Sequence, residues 1–148
     1  MKILIINGPN LNMLGRREPE IYGTESYRGI IASIKRECCA RHIKAAFFQS
    51  NEEGKIVTRI QKAAGVFDAI MLNAGAYTHT SLAILDALRC AGLPCVEVHV
   101  SDPALREPYR AFSYISEYAF AVVKGEGAHG YITALDKLSE HFENSARA

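Results

Sequence analysis

Lys2-Ile3-Leu4-Ile5-Ile6-Asn7-Gly8-Pro9-Asn10 opens the chain with four consecutive aliphatic residues cut off by a turn sequence. So short a run, apolar at every position and stopped by Gly and Pro, reads as a strand buried on both faces. Such a strand belongs to a parallel sheet with helices on either side. Working outward, Tyr27, Ile30, Ile31, Ile34 and Cys38 fall at helical spacing and predict a helix from Glu25 to about Arg41. Ala45–Gln49 is a second strand. Ser50-Asn51-Glu52-Glu53 starts a second helix, carried on by Ile56, Val57, Ile60 and Ala64 to Gly65. Phe67–Asn73 is a third strand. Thr80 or Ser81 caps a third helix that runs through Ala91, with Gly92 at its end and Pro94 beyond. Cys95–Val100 and Tyr118–Lys124 are the fourth and fifth strands. A last helix runs from about Ala128 to Phe142, with Ile132, Leu135, Leu138 and Phe142 on one face. Strands alternating with helices predict an α/β, flavodoxin-like three-layer sandwich on a five-stranded parallel sheet of order 2-1-3-4-5. A barrel of the same units needs about 250 residues.

The 148 residues are 49% hydrophobic and 22% charged, and 17 basic against 16 acidic residues leave a net charge of +1. These figures predict one catalytic domain spanning 1–148, large enough to bury roughly two thirds of its surface without disulfide or metal staples. The near-neutral balance argues against a sequence-independent nucleic-acid binder. No apolar run approaches the roughly 20 residues of a membrane span, and the N-terminal one is too short for a signal-peptide core. A cytoplasmic protein is expected. Cys38 and Cys39 are adjacent and Cys90 and Cys95 five apart, spacings that build neither a zinc knuckle nor a CxxC redox motif. All four are expected to be small buried hydrophobes.

Ligands of an open parallel sheet bind beyond the carboxyl ends of the strands, near the switch in strand order. That rule selects Asn10 and the long Gly8–Thr24 loop after strand one, and Asn73 to Ser81 after strand three. It also selects Glu97, His99 and Ser101 at the end of strand four, with Arg106 and Arg110 on the long loop that follows. Arg17, Arg106 and Arg110 suit an anionic, hydroxyl-rich substrate. His99 is a natural general acid or base. Tyr22 is the more unusual candidate base, because full ionisation of a free phenol at pH 7 requires about 4 kcal/mol. An adjacent cation such as Arg17 supplies much of that, about 1–3 pKa units. Each residue also has an ordinary reading. Asn7-Gly8-Pro9-Asn10 is a turn, Arg16-Arg17 a solvated pair, Tyr22 a packing residue, Asn73 and Thr80 a strand end and a cap, and His99 a satisfied core histidine. Gly125-Glu126-Gly127-Ala128-His129-Gly130 matches GxGxxG between a strand and a helix, yet lacks the following strand and acidic ribose-binding residue of a dinucleotide site. It reads as a tight turn.

Ile5-Ile6-Asn7-Gly8-Pro9-Asn10-Leu11-Asn12-Met13-Leu14-Gly15-Arg16-Arg17-Glu18-Pro19-Glu20-Ile21-Tyr22-Gly23 closely resembles the N-terminal signature of the type II 3-dehydroquinate dehydratases. Asn73-Ala74-Gly75-Ala76-Tyr77-Thr78-His79-Thr80-Ser81 and Glu97-Val98-His99-Val100-Ser101 resemble that family's second and third motifs, in the same order, and the likeness extends over essentially the whole chain. The resemblance implies a cofactor-free lyase, without metal or Schiff base, that converts 3-dehydroquinate to 3-dehydroshikimate and water by anti elimination through an enolate. The pathway implied leads through shikimate to chorismate and aromatic amino acids. By the same resemblance Tyr22 removes the C2 proton and Arg17 favours its anion. Asn10 holds a water on the enolate oxygen, and His99 protonates the leaving hydroxyl with Glu97 orienting it. Asn73, His79, Val100, Ser101, Arg106 and Arg110 match substrate-binding positions. Asp86 matches a residue that reaches a neighbouring subunit's site in a homododecamer of four trimers. Gly15 and Gly23 are candidate hinges for a lid.

Asp102-Pro103 and Glu107-Pro108-Tyr109 depart from the commoner family pattern, so the resemblance does not define the local shape of that loop, while Arg106 and Arg110 keep their spacing. A different class of reading, a flavodoxin-like nucleotide-binding or regulatory module using the glycine-rich turn, predicts copurifying flavin or nucleotide. A structural oligomer that has lost activity is disfavoured, because all the acid–base positions are present.

Overall fold

The computed structural model describes residues 1–16 and 18–147. The order along the chain is β1 (Lys2–Asn7), a short α1 (Pro19–Tyr22), α2 (Tyr27–Ala40), β2 (Lys44–Gln49), α3 (Glu53–Gln61), β3 (Ala69–Asn73), α4 (Leu82–Ala91), β4 (Cys95–His99), β5 (Ala121–Lys124) and α5 (Gly130–Arg147). The strands form one five-stranded sheet of order β2-β1-β3-β4-β5, every pair parallel, as expected.

Side chains alternate across a strand, so β1 serves two cores at once. Ile3 and Ile5 join Met71, Val96 and Val98 beneath α2 and α5, with Ile30, Ile34, Leu135 and Leu138 facing them. Leu4 and Ile6 join Ile70, Leu72 and Cys95 beneath α3 and α4, with Ile56, Ile60, Ile84 and Leu88 facing those. The result is three layers, with the Leu138 stripe of the last helix on the α2 side.

Helix ends follow their capping residues. Ser26 accepts from the Gly29 amide at 3.1 Å and starts α2. Ser81, not Thr80, accepts from the Ile84 amide at 3.0 Å and starts α4, which ends at Gly92 in the left-handed conformation.

Several boundaries differ from expectation. Tyr118 does not begin β5; its amide closes a 3₁₀ turn on the Ile115 carbonyl, and the ladder starts only after Phe120 donates to Cys95. Tyr118 and Phe120 alternate as strand residues would, yet Tyr118 is only half-buried and Phe120 is exposed. β3 begins at Ala69 rather than Phe67, and α5 extends past Phe142 to Arg147. Cys38 and Cys95 are buried, but Cys39 and Cys90 are exposed. They occupy the outer faces of α2 and α4, so the expectation of four buried thiols fails for those two. Among the described residues no helix is long and apolar enough to cross a membrane.

The turn after β1 is held by one close approach. The Gly8 amide donates to the Asn73 carbonyl at 2.7 Å, and a Cβ at Gly8 would sit 2.3 Å from the Ala74 carbonyl oxygen. Because both partners are backbone, Gly8→Ala must push β1 and β3 apart at their carboxyl ends. We expect a loss of about 1–3 kcal/mol, read as a Tm lower by about 3–10 °C. An unchanged Tm would show that the turn has slack.

Candidate active site

The strand order places the carboxyl ends of β1, β3 and β4 side by side. Asn7 pairs with Asn73, and Leu72 pairs with Glu97 one strand over. At this edge lies a cavity of about 140 Å³ bordered by Asn10, Tyr22, Asn73, His79, His99, Val100, Ser101, Arg106 and Arg110, together with Pro9, Leu11, Leu14, Gly75, Ala76 and Pro103. Nine residues selected from sequence thus meet in one pocket.

On one side stands the phenol. Tyr22 is the last residue of α1, a single turn in which the Ile21 and Tyr22 amides donate to the Glu18 carbonyl before Gly23 ends it with φ 79°. Arg106 Nη1 donates to the Tyr22 hydroxyl at 2.6 Å, and its guanidinium lies 5.5 Å from the ring centroid. The cation seen against the phenol is therefore Arg106, which the sequence suggested only as a substrate ligand. Arg17, expected in that role, lies outside the described residues. Arg110 stands within electrostatic reach of Tyr22 and is braced by Glu107 at 2.7 Å.

The pocket is also bordered by an imidazole at the end of β4. His99 Nε2 lies 2.8 Å from Glu97 Oε1. An ionised carboxylate only accepts, so Nε2 carries the proton and Nδ1 is left for a ligand. Glu97 is completely buried. Burial alone would raise its pKa, but hydrogen bonds and charge from His99, with the Ser116 and Thr78 hydroxyls, outweigh it and hold the carboxyl at about 2.

Asn10 adopts a left-handed backbone (φ 66°), and its amide donates to Asn51 Oδ1 at 3.0 Å. Gln49 braces the same turn by donating to the Gly8 carbonyl at 3.2 Å. Asn73 is locked from below, donating to the Tyr131 hydroxyl at 3.1 Å and accepting from the Gly75 amide at 3.2 Å. His79 Nδ1 is engaged with the Phe112 carbonyl at 2.7 Å, which leaves Nε2 as its other polar atom.

The loop after β4 has a definite shape. Asp102 accepts from the Ala104 amide at 3.0 Å and pairs with Lys124 at 3.2 Å, while Pro103 and Pro108 each open a 3₁₀ turn. That backbone bond, with Lys124 adding to it, keeps the Asp102 carboxyl below its usual range. The glycine-rich turn is occupied by the fold itself. The Gly125 and Gly127 amides donate to the His99 and Val100 carbonyls at 3.3 and 2.9 Å, so these amides cradle the end of β4 rather than a phosphate.

One selected residue stands apart. Asp86 is exposed on α4, 3.7 Å from Arg89, and does not border the pocket of its own chain. Reading the sequence missed Gln49, Asn51, Thr78, Ser113, Ser116 and Tyr131 as supports of the site. They are ordinary polar residues, and only the tertiary fold brings them beneath it.

The sheet order and a pocket holding a phenol, an imidazole–carboxylate pair and two arginines define a flavodoxin-like α/β protein equipped for acid–base chemistry on an anion. Residues 1–139 match the family model described as dehydroquinase class II. A catabolic 3-dehydroquinase of Verticillium alfalfae is 46% identical over 146 residues, 99% of this chain and 97% of its own. A 3-dehydroquinate dehydratase of Geotalea daltonii is 48% identical over 143 residues, 97% and 99% of the two chains. The crystal structure of a type II dehydroquinase from Butyrivibrio crossotus superposes with a TM-score of 0.91 at 44% identity, covering 94% of this chain and 97% of that one. The chain belongs to the class II dehydroquinase family.

Proposed function

We propose that this chain is a type II 3-dehydroquinate dehydratase, acting as a single catalytic domain and eliminating water from 3-dehydroquinate to give 3-dehydroshikimate. What carries the reading is that Tyr22 and His99 border one pocket together with Arg106 and Arg110. A proton beside a ketone is weakly acidic, so its removal needs a strong base and a held oxyanion. The Tyr22 phenolate takes the C2 proton, and the electron pair moves into the C3 carbonyl to form the enolate. A water held by Asn10 donates to that oxygen. Collapse of the enolate expels the C1 hydroxyl as the His99 imidazolium, its Nε2–H held by Glu97, protonates it from Nδ1, so one proton leaves carbon, one reaches oxygen, and water departs. Arg106 donates to the phenol oxygen, a hydrogen bond that strengthens as the acceptor gains negative charge. Arg17 is assigned a second share of that work from its place in the family motif.

Asn73, His79 and Arg110 bind the substrate's polar groups, with the Val100–Ser101 segment receiving its carboxylate. The steps are two proton transfers and loss of a hydroxyl with no net oxidation or reduction, so the mechanism calls for no cofactor. Asp86 completes a neighbouring subunit's site in a dodecamer of four trimers, which accounts for its distance from the pocket of its own chain. A cytoplasmic enzyme of the shikimate route to chorismate and aromatic amino acids fits the chemistry. A relative named catabolic and one named simply for the dehydratase stand at 46% and 48% identity.

The test is direct. The purified protein, extensively treated with chelator and given no cofactor, should convert 3-dehydroquinate into a conjugated enone with rising near-ultraviolet absorbance. No absorbance change across pH 6–9 would overturn the assignment.

A further inference from the structure

We infer that Ser113 and Ser116, with Thr78, are positioning residues of the proposed reaction, which act through Glu97 to hold His99 as the proton donor. The inference rests on the dehydratase reading but concerns residues that border its acid from behind.

The observation is a fully buried carboxylate whose visible partners are one imidazole and a set of neutral hydroxyls. Thr78 Oγ1 and Ser113 Oγ donate to Oε1 at 2.5 and 2.7 Å, and Ser116 Oγ donates to Oε2 at 2.5 Å. A buried carboxylate is costly unless it is paired and hydrogen-bonded. Here the hydroxyls offset that cost and leave His99 as the group that shares the charge directly. The arrangement fixes the ring orientation, with Nε2–H on Glu97, and the buried anion balances the imidazolium whose Nδ1–H is the proton delivered.

The hydroxyls also link two parts of the site. Ser113 and Ser116 close the loop that begins at Ser101 and carries Arg106 and Arg110. That loop is fastened by the Tyr114 amide on the Thr78 carbonyl at 2.9 Å, and by the Ser116 amide on Ser113 Oγ at 3.2 Å. The segment that brings cations to the substrate therefore also supplies the dipoles that keep Glu97 ionised. Formation of the anion-binding loop and readiness of the acid become one structural event.

The test compares Ser116→Ala, Ser113→Ala/Ser116→Ala and Ser116→Thr with the parent protein. The double alanine variant should lower kcat by about 10- to 100-fold, with KM changed less than about twofold, because no substrate ligand is removed. Ser116→Thr, which keeps the hydroxyl, should restore most of kcat. Nitrogen-15 spectra of His99 without substrate give a readout independent of turnover. The parent should show a protonated, hydrogen-bonded Nε2, and the double variant a mixture of tautomers. A parental kcat with an unchanged His99 spectrum in the double variant would overturn the inference. So would a rise in KM alone. Absence of turnover in the parent protein would instead count against the dehydratase reading, leaving the His99 spectra to judge the hydroxyl cage.

Discussion

Tyr22→Phe should lower kcat by about three orders of magnitude or more while the fold and assembly persist. A positioned general base contributes about 10²–10⁴-fold, and this reaction asks more of its base than most because the proton sits on carbon. The substitution removes one oxygen and keeps the ring. Arg106 retains its place 5.5 Å from the ring centroid, so packing on the loop should be preserved. Turnover measured by enone absorbance should therefore collapse, and solvent deuterium should no longer enter C2 of recovered substrate. A Tyr22→Phe variant within tenfold of the parent would remove the phenol from the mechanism and return the base to some other group bordering the pocket.

Glu97 should dominate the acid stability of the chain. Burial works against its charge, but His99, Ser116 and Thr78 win, bringing the carboxyl from 4.5 to about 2. The folded state thus binds the proton less tightly than the unfolded state. The stabilisation is complete above about pH 4.5 and is lost as pH falls toward 2, a change of about 3 kcal/mol. Urea unfolding of the parent and of Glu97→Gln, at one protein concentration, should differ most at pH 7, and the gap should shrink below about pH 4.5 and close only toward pH 2. A gap that stays constant with pH would mean that Glu97 contributes shape rather than charge. Glu97→Gln should also impair turnover, because an amide holds His99 without favouring its protonated form.

The sheet was legible because parallel strands buried on both faces leave an unmistakable pattern. Ile3 to Ile6 announces β1 with no help from context, and five strands in a chain too short for a barrel favour the open flavodoxin-like order. The pocket was legible for the same reason, since strand ends choose the residues. What local pattern did not reveal is pairing across the sheet. Tyr22 and Arg106 are separated by 84 positions, and only folding shows their 2.6 Å hydrogen bond. Thr78, Ser113 and Ser116 look like loop and cap residues until Glu97 is placed among them. Cys39 and Cys90 failed the opposite way. Their helices are amphipathic, and a thiol's usual burial does not decide which side of a helix it occupies.

Asn73 owes its orientation to Tyr131, 58 positions later, and Asn7 accepts from the same hydroxyl across 124 positions at 2.5 Å. During synthesis β1 and β3 are made well before that hydroxyl exists. A nascent chain lacking α5 would carry all the reactive groups of the pocket, yet the amides beneath it would still be bonded to water. The docking of the last helix is thus a maturation step. The pocket should reach its final shape abruptly, once Tyr131 bonds Asn7 and Asn73 beneath the sheet.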